Sequence, residues 1–285
     1  MPMQIIHTIS DIRQQVAAYR QAGKIIAFVP TMGNLHQGHL QLIKMALSTA
    51  DIVICSIFVN PLQFGEGEDF EQYPRTLEAD AKKLQQLGCD IIFAPAVDEM
   101  YPHSVGGGRD QSQITVPGIS DILEGASRPG HFTGVATIVA KLFNMVQPDK
   151  AVFGAKDYQQ LQVIKRFVGD LCFPVEILSH PIVRESNGLA MSSRNGYLSE
   201  AQKQQASAIY RTLQTVEQQI KTASNYALLE QQAKEQLNSQ GFITDYLSIR
   251  RTDLSRPSEK DNELVILAAV YLAKIRLLDN IQVFL

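Results

Sequence analysis

Ile52-Val53-Ile54-Cys55-Ser56-Ile57-Phe58-Val59 is an apolar run broken by a single serine, and a strand of that composition is buried on both faces. Such a strand needs helices on both sides of its sheet, and the neighbouring sequence supplies them. Residues 38–49 place Leu40, Ile43, Ala46 and Leu47 at helical spacings of three and four. Residues 76–87 read as a second helix, ending at Gly88 as a C-cap. Further strands are expected at 25–29, 91–94, 151–153 and 175–178, and further helices at 133–146 and 157–169. This alternation predicts an α/β fold, a Rossmann-like doubly wound parallel sheet.

The pattern changes after Ser193. Residues 199–221 and 225–240 are Gln- and Ala-rich helical patterns, followed by extended segments at Phe242–Arg250, Glu263–Tyr271 and Lys274–Val283. These predict a smaller C-terminal α+β domain with an antiparallel sheet, its polar stretch 252–262 forming a loop. The expected division is 1–185 and 186–285, in keeping with a length of 285 residues.

Composition narrows the function classes. A formal net charge of −3 gives no general pull toward nucleic acid or acidic membranes. The longest apolar run, Leu264–Ala273, is too short to cross a bilayer, and Met1-Pro2-Met3-Gln4 has no signal-peptide character. Cys55, Cys89 and Cys172 are odd in number and form no CxxC pair, which argues for a reducing compartment and against a zinc or disulfide framework. A cytoplasmic protein is expected.

Chemistry concentrates where strands meet helices. Pro30-Thr31-Met32-Gly33-Asn34-Leu35-His36-Gln37-Gly38-His39-Leu40 joins a strand to a helix and puts two imidazoles at the helix start. Unpaired N–H groups there attract anions, and the imidazoles add donors for a polyphosphate. Phe153-Gly154-Ala155-Lys156-Asp157-Tyr158-Gln159-Gln160 occupies a similar junction. Lys156 suits a phosphate, whereas Asp157 reads equally as a helix cap. In Arg184–Asn195, the run Ser192-Ser193-Arg194 suits a phosphate clamp, and reads equally as a polar linker with serine caps. Asn60 and Gln63 follow the buried strand at its carboxyl end, where open α/β sheets bind ligands; a tight turn with an Asn cap is the alternative. Residues 123–135, dense in Gly, Arg and His, either close over a ligand or pack between sheet edge and helix. The glycine-rich stretch 104–113 reads as a mobile loop without a dinucleotide fingerprint, since no helical pattern follows it.

Taken together, residues 30–40, SIFVNPLQF (56–64), YPRT (73–76), 123–137, KLFNMVQPD (141–149), FGAKDYQQL (153–161), VRESNGLAMSSRN (183–195) and RLLDN (276–280) closely resemble the pantothenate synthetase (pantoate–β-alanine ligase) family. The HxGH and MSSR segments are also similar to those of class I aminoacyl-tRNA synthetases and nucleotidylyltransferases. The resemblance implies ATP-dependent condensation of pantoate with β-alanine through a pantoyl adenylate, releasing AMP and diphosphate. It also implies a homodimer that uses Mg²⁺. ATP would be bound by Met32, Gly33, Asn34, Leu35, His36, Gln37, Gly38, His39, Gly154, Ala155, Lys156, Asp157, Val183, Met191, Ser192, Ser193 and Arg194. Among these His39, His36, Lys156 and Arg194 are the expected catalytic groups. Gln63 and Gln160 would hold substrate, with Asn60 assisting.

This chain departs from the family pattern in places. Asn34, Gln37 and Ala155 replace the common Ala, Glu and Glu, and the 104–113 loop is longer. The acidic cluster after YPRT, a metal-binding segment in some members, is reduced to Glu78 and Asp80, which leaves the metal's protein ligands unassigned. Gly65 to Thr76 is the expected lid. The rival reading is a nucleotidylyltransferase that keeps its adenylated product. A non-catalytic nucleotide- or RNA-binding protein is disfavoured by the acidic balance and by the intact His36, His39, Lys156 and Arg194.

Overall fold

Alternate residues of the second strand feed two separate cores. Ile26 and Phe28 are fully buried on one face of the sheet, and Ala27 and Val29 on the other. The computed structural model describes residues 3–285 except 66, 69, 103, 105, 106, 223, 224 and 259. Glu66 and Asp69 of the expected lid, and Val105 and Gly106 of the glycine-rich loop, therefore lie outside the described residues.

The elements run β1 (Gln4–Ile6), α1 (Ile9–Gln21), β2 (Ile26–Thr31), α2 (Gln37–Leu47), β3 (Ile52–Ile57), α3 (Leu77–Leu87), β4 (Ile91–Phe93), α4 (Val97–Met100), α5 (Glu124–Ser127), α6 (His131–Val146), β5 (Lys150–Gly154), α7 (Tyr158–Asp170) and β6 (Glu176–His180). These six strands form one sheet in the order β1-β4-β3-β2-β5-β6, every pairing parallel. From β2 the chain builds outward through β3 and β4, then returns to add β5 and β6 on the other side of β2. The winding reverses between β2 and β5, and the crevice at the carboxyl ends of those strands is where such sheets bind ligands.

One core packs α1, α6 and α7 against the face that carries Phe28, Ile54, Phe93 and Phe153. The other packs α2 and α3 against Val29, Cys55, Ile92 and Val152. The sheet is doubly wound, as the apolar run in β3 predicts. β1 and α1 have no counterpart in the expected elements. Only Ile12 and Val16 of α1 are buried, too sparse a stripe for its periodicity to stand out. α3 ends at Gly88, whose φ of 89° is left-handed.

The chain divides into two compact units, Met1–Ala155 with Gln160–Pro181, and Lys156–Gln159 with Ile182–Leu285. The second contains α8 (Glu200–Ala206), α9 (Ala208–Ile220), α10 (Tyr226–Ser239), β7 (Ile243–Arg251), β8 (Glu263–Leu272) and β9 (Ile275–Phe284). Its antiparallel sheet has the order β7-β8-β9, and α9 and α10 share its core. The helical pattern over 199–221 is two helices, because Ser207 Oγ donates to the Gln204 carbonyl at 2.6 Å and competes with the helical ladder.

Candidate active site

The turn between β2 and α2 is shaped by left-handed backbone at Gly33 (φ 82°) and Asn34 (φ 50°). A side chain at Gly33 would put its Cβ 3.0 Å from Ile57 Cγ2, so glycine answers both the conformation and the crowding. The Gly33 amide donates to Thr31 Oγ1 at 3.1 Å, and that hydroxyl donates to the Ser56 carbonyl at 2.7 Å.

Asp80, from α3, holds the rest of this turn. It is fully buried, and its carboxylate accepts from Asn34 N at 2.8 Å, Leu35 N at 2.9 Å and Thr76 Oγ1 at 2.9 Å. Lys83, one turn further along α3, stands 3.6 Å from the same carboxylate and donates to the Leu35 carbonyl at 2.6 Å. Asp80 is thus a structural anion engaged with the loop. Its only signal in the sequence is an aspartate on the apolar stripe Leu77, Ala81, Leu84, where a charge is retained only if paired.

His36 and His39 form a reciprocal cap on α2. His36 Nδ1 accepts from Gly38 N at 3.1 Å, and His39 Nδ1 accepts from His36 N at 3.3 Å. The ring centroids are 4.1 Å apart. A ring nitrogen that accepts from a backbone N–H carries no proton itself, so the geometry assigns both rings as neutral tautomers with the proton on Nε2. Two Nε2–H donors then stand at the N-terminus of an eleven-residue helix whose first turn has no acidic residue.

Past the end of β3, Asn60 caps a short 3₁₀ turn, Pro61–Gln63. Asn60 is only 1% exposed. Its Oδ1 accepts from Leu62 N and Tyr101 Oη, and its Nδ2 donates to Gly134 O and Gln63 Oε1. The cap reading of Asn60 therefore describes its geometry, and the same side chain holds Gln63. Gln63 Nε2 stands 2.9 Å from Met32 Sδ.

The main chain of Gln63 is held from the 123–135 segment. His131 Nδ1 lies 2.7 Å from the Gln63 carbonyl and Arg128 Nη2 3.2 Å from it. Only a proton on Nδ1 satisfies that contact, which leaves Nε2 to accept from Arg128 Nη1 at 3.2 Å. Burial, reinforced by the Arg128 charge, lowers the His131 pKa to about 4. Arg128 in turn donates to Glu68 Oε1 at 2.7 Å and to Glu124 at 3.3 Å. Burial alone would raise the Glu68 carboxyl, but the guanidinium outweighs it and holds the pKa below the ordinary value. Sequence reasoning left this segment undecided between ligand closure and packing; its contacts are to the Gln63 turn and to Glu68.

At the carboxyl end of β5, a Cβ at Gly154 would meet nothing within 4 Å. Ala155–Asp157 form a 3₁₀ turn leading into α7, and Gln160 is half-buried there. In the first unit, the His36/His39 pair, Gln63 and Gly154–Ala155 thus stand at the carboxyl ends of the adjacent strands β2, β3 and β5. Lys156, Asp157, Val183 and Met191–Arg194 belong to the second unit. There Lys156 Nζ stands 3.5 Å from Asp157 Oδ1, and Ser192 caps the 3₁₀ turn Ser193–Tyr197 by accepting from Arg194 N at 3.2 Å.

A model of the pantoate-beta-alanine ligase family matches residues 4–282. The chain belongs to this family. A pantothenate synthetase from Idiomarina loihiensis is 54% identical over 99% of this chain and 98% of its own length. One from Pseudomonas fluorescens is 52% identical over 98% of each chain. Among solved structures, the pantothenate synthetase of Thermus thermophilus superposes with a TM-score of 0.91 at 42% identity, covering 99% of this chain and 100% of that one. A pantoate-beta-alanine ligase from Francisella tularensis, described as complexed with beta-gamma ATP and beta-alanine, gives a TM-score of 0.80 at 35% identity, covering 98% and 97%. As a pantoate–β-alanine ligase the protein is an enzyme that uses ATP. No helix among the described residues is long and apolar enough to cross a membrane.

Proposed function

We propose that this ligase joins pantoate to β-alanine in two displacements, and that the neutral His36/His39 pair is the centre of the first. The observation that carries the reading is the pair of Nε2–H donors at the start of α2, beside the crevice between β2 and β5. A pantoate carboxylate oxygen attacks the α-phosphorus of ATP, the bond to the bridging oxygen breaks, and diphosphate leaves. The β-alanine nitrogen then attacks the acyl carbon, the acyl–phosphate C–O bond breaks, and AMP departs as the nitrogen gives up its proton.

No protein nucleophile is required. Rate enhancement rests on positioning and on charge stabilisation where the phosphorus becomes pentavalent. His36 and His39 donate to phosphate oxygens, with His39 the expected proton donor. Met32–Leu35, Gln37 and Gly38 line the nucleotide with backbone, as do Gly154 and Ala155. Lys156, Asp157, Val183, Met191, Ser192, Ser193 and Arg194 are the further nucleotide contacts of this reading. Gln63 and Gln160 hold pantoate by neutral hydrogen bonds, and Asn60 fixes the amide of Gln63.

Magnesium belongs to the nucleotide in this reading. Asp80 does not fit a metal ligand, since its oxygens already accept three hydrogen bonds and face the Lys83 ammonium. No cluster of three metal-ligating side chains occurs among the described residues. Bound with the ATP phosphates, Mg²⁺ would supply charge neutralisation as diphosphate leaves. The proposal extends to a homodimer and to a cytoplasmic location, the latter supported by three free cysteines.

The test is AMP release from Mg·ATP with pantoate, with and without β-alanine. Multiple turnovers of AMP that require both substrates are expected. AMP conjugate accumulating stoichiometrically and indifferent to β-alanine would identify the nucleotidylyltransferase instead.

A further inference from the structure

The C-terminal pair Asp279-Asn280 lies in the middle of β9, and both residues are only 4% exposed. Their partners on β8, Ala268 and Leu267, are apolar. Two adjacent buried polar side chains cost stability unless every group is paired, and here each is paired to a segment assigned to the nucleotide.

Asn280 Nδ2 donates to the main-chain carbonyl of Lys156 at 2.8 Å. Asp279 makes a two-pronged ion pair with Arg184, at 2.7 Å to Nη1 and 2.9 Å to Nη2. The same guanidinium also donates to Asn280 O and Gly188 O, and lies 3.6 Å over the ring of Tyr210. Arg184 is therefore engaged within the protein through both terminal nitrogens and its flat face.

Arg184 opens a tight turn that leads into the Ser192–Arg194 segment. Arg184 bridges Ala190, Met191 N donates to Val183 O at 2.9 Å, and Glu185 N to Leu189 O at 2.8 Å. Asn195 Nδ2 then ties the far end back to Glu185 and to Ala190 O. Fixing Arg184 thus fixes Val183 and Met191–Arg194 together. Since Asp279 and Asn280 are consecutive on one strand, β9 sets the spacing between the Lys156 backbone and the Ser192–Arg194 turn.

We propose that Asp279 and Asn280 are positioning residues for ATP, one holding the Arg184–Arg194 turn and the other holding Lys156. The inference rests on the reading that Lys156 and Ser192–Arg194 contact the nucleotide.

Steady-state kinetics with each substrate varied, alongside thermal denaturation, test it on Asn280→Ala, Asp279→Asn, Lys156→Ala and the double variant Lys156→Ala/Asn280→Ala. Asn280→Ala is expected to raise KM for ATP about tenfold while leaving KM for pantoate within about twofold. In the Lys156→Ala background the same substitution should change ATP kinetics less than about twofold, because its effect passes through Lys156. Asp279→Asn should likewise raise KM for ATP selectively. Should Asn280→Ala not fold, Asn280→Leu keeps the bulk while removing the amide's donor and acceptor.

Parallel rises in KM for all three substrates, or an Asn280 effect undiminished in the Lys156→Ala background, would overturn the inference. An impaired Lys156→Ala beside a normal Asn280→Ala overturns the positioning role alone. A normal Lys156→Ala overturns the nucleotide reading beneath it.

Discussion

Asp80 grips the backbone two residues ahead of His36: one carboxylate oxygen lies 2.8 Å from Asn34 N and the other 2.9 Å from Leu35 N. Asp80→Asn swaps one acceptor for an amide nitrogen, so a buried N–H then faces a donor. That costs about 1–3 kcal/mol of stability. Misplacing the imidazoles should also lower kcat by roughly 10- to 100-fold. A magnesium titration separates this from a metal-ligand role. The Mg²⁺ concentration giving half-maximal rate should match wild type; a strong rightward shift would restore Asp80 as a ligand.

His36 does two jobs that substitution can separate. Its Nδ1 caps α2, and its Nε2–H is the proposed phosphate donor. Asparagine is a good N-cap, so His36→Asn should keep the thermal stability of wild type, whereas His36→Ala should lose about 1 kcal/mol. Both should lose activity by roughly 10²-fold, the scale for one electrostatic donor. If His36→Asn works as well as wild type, the cap is the whole role of this residue.

His39→Ala should lower kcat by about 10²-fold or more. The variant still folds, because the cap contact of His39 is long, at 3.3 Å, and the residue sits outside the fully buried core. Near-normal turnover in the folded protein would remove His39 from the catalytic groups.

The parallel sheet was legible because both faces of its strands are apolar, as in β3, and because its helices repeat at three and four. The HxGH turn was legible because two imidazoles beside a glycine at a strand–helix junction have few structural uses. What holds that turn was not. Asp80 reaches it from 46 positions away, and Asn280 reaches the Lys156 backbone from 124 positions away. Neither contact has a local pattern, since each depends on tertiary packing to bring a polar side chain to a distant main-chain group. The partners of Asn60 were hidden for the same reason: sequence left it between a ligand contact and a cap, and its bonds to Tyr101 and Gly134 come from distant segments.

Gly134 shows how closely α6 meets the Gln63 turn. A Cβ there would stand 2.4 Å from Leu62 O and 2.7 Å from Gln63 N, both backbone atoms. Alanine has the better helix propensity by about 1 kcal/mol, but the overlap forces the turn or the helix to move. Gly134→Ala should be destabilised by about 1–3 kcal/mol, with KM for pantoate raised more than KM for ATP. Calorimetry and kinetics on the variant check both, and a gain in Tm would show that the two segments separate easily.

The neutral His131 ring makes stability depend on pH in a direction that can be worked out. Its folded pKa of about 4 lies below the ordinary value of 6.5. As pH falls below about 6.5 the unfolded chain takes up this proton while the folded chain does not, so folding loses stability until the pH reaches about 4 and then levels off. At 1.36 kcal/mol per pH unit the full effect is up to roughly 3 kcal/mol. The cause is burial first and Arg128 second, since protonation of Nε2 would set one N–H against another. His131→Asn keeps a donor for the Gln63 carbonyl and removes the titration. Carboxylates titrate in the same range in both proteins, so the difference between them isolates the ring. Urea unfolding at pH 6.5, 5.5 and 4.5 should show wild type losing stability more steeply than His131→Asn. Equal slopes would mean that the ring accepts a proton in the fold, and that Arg128 gives way to admit it.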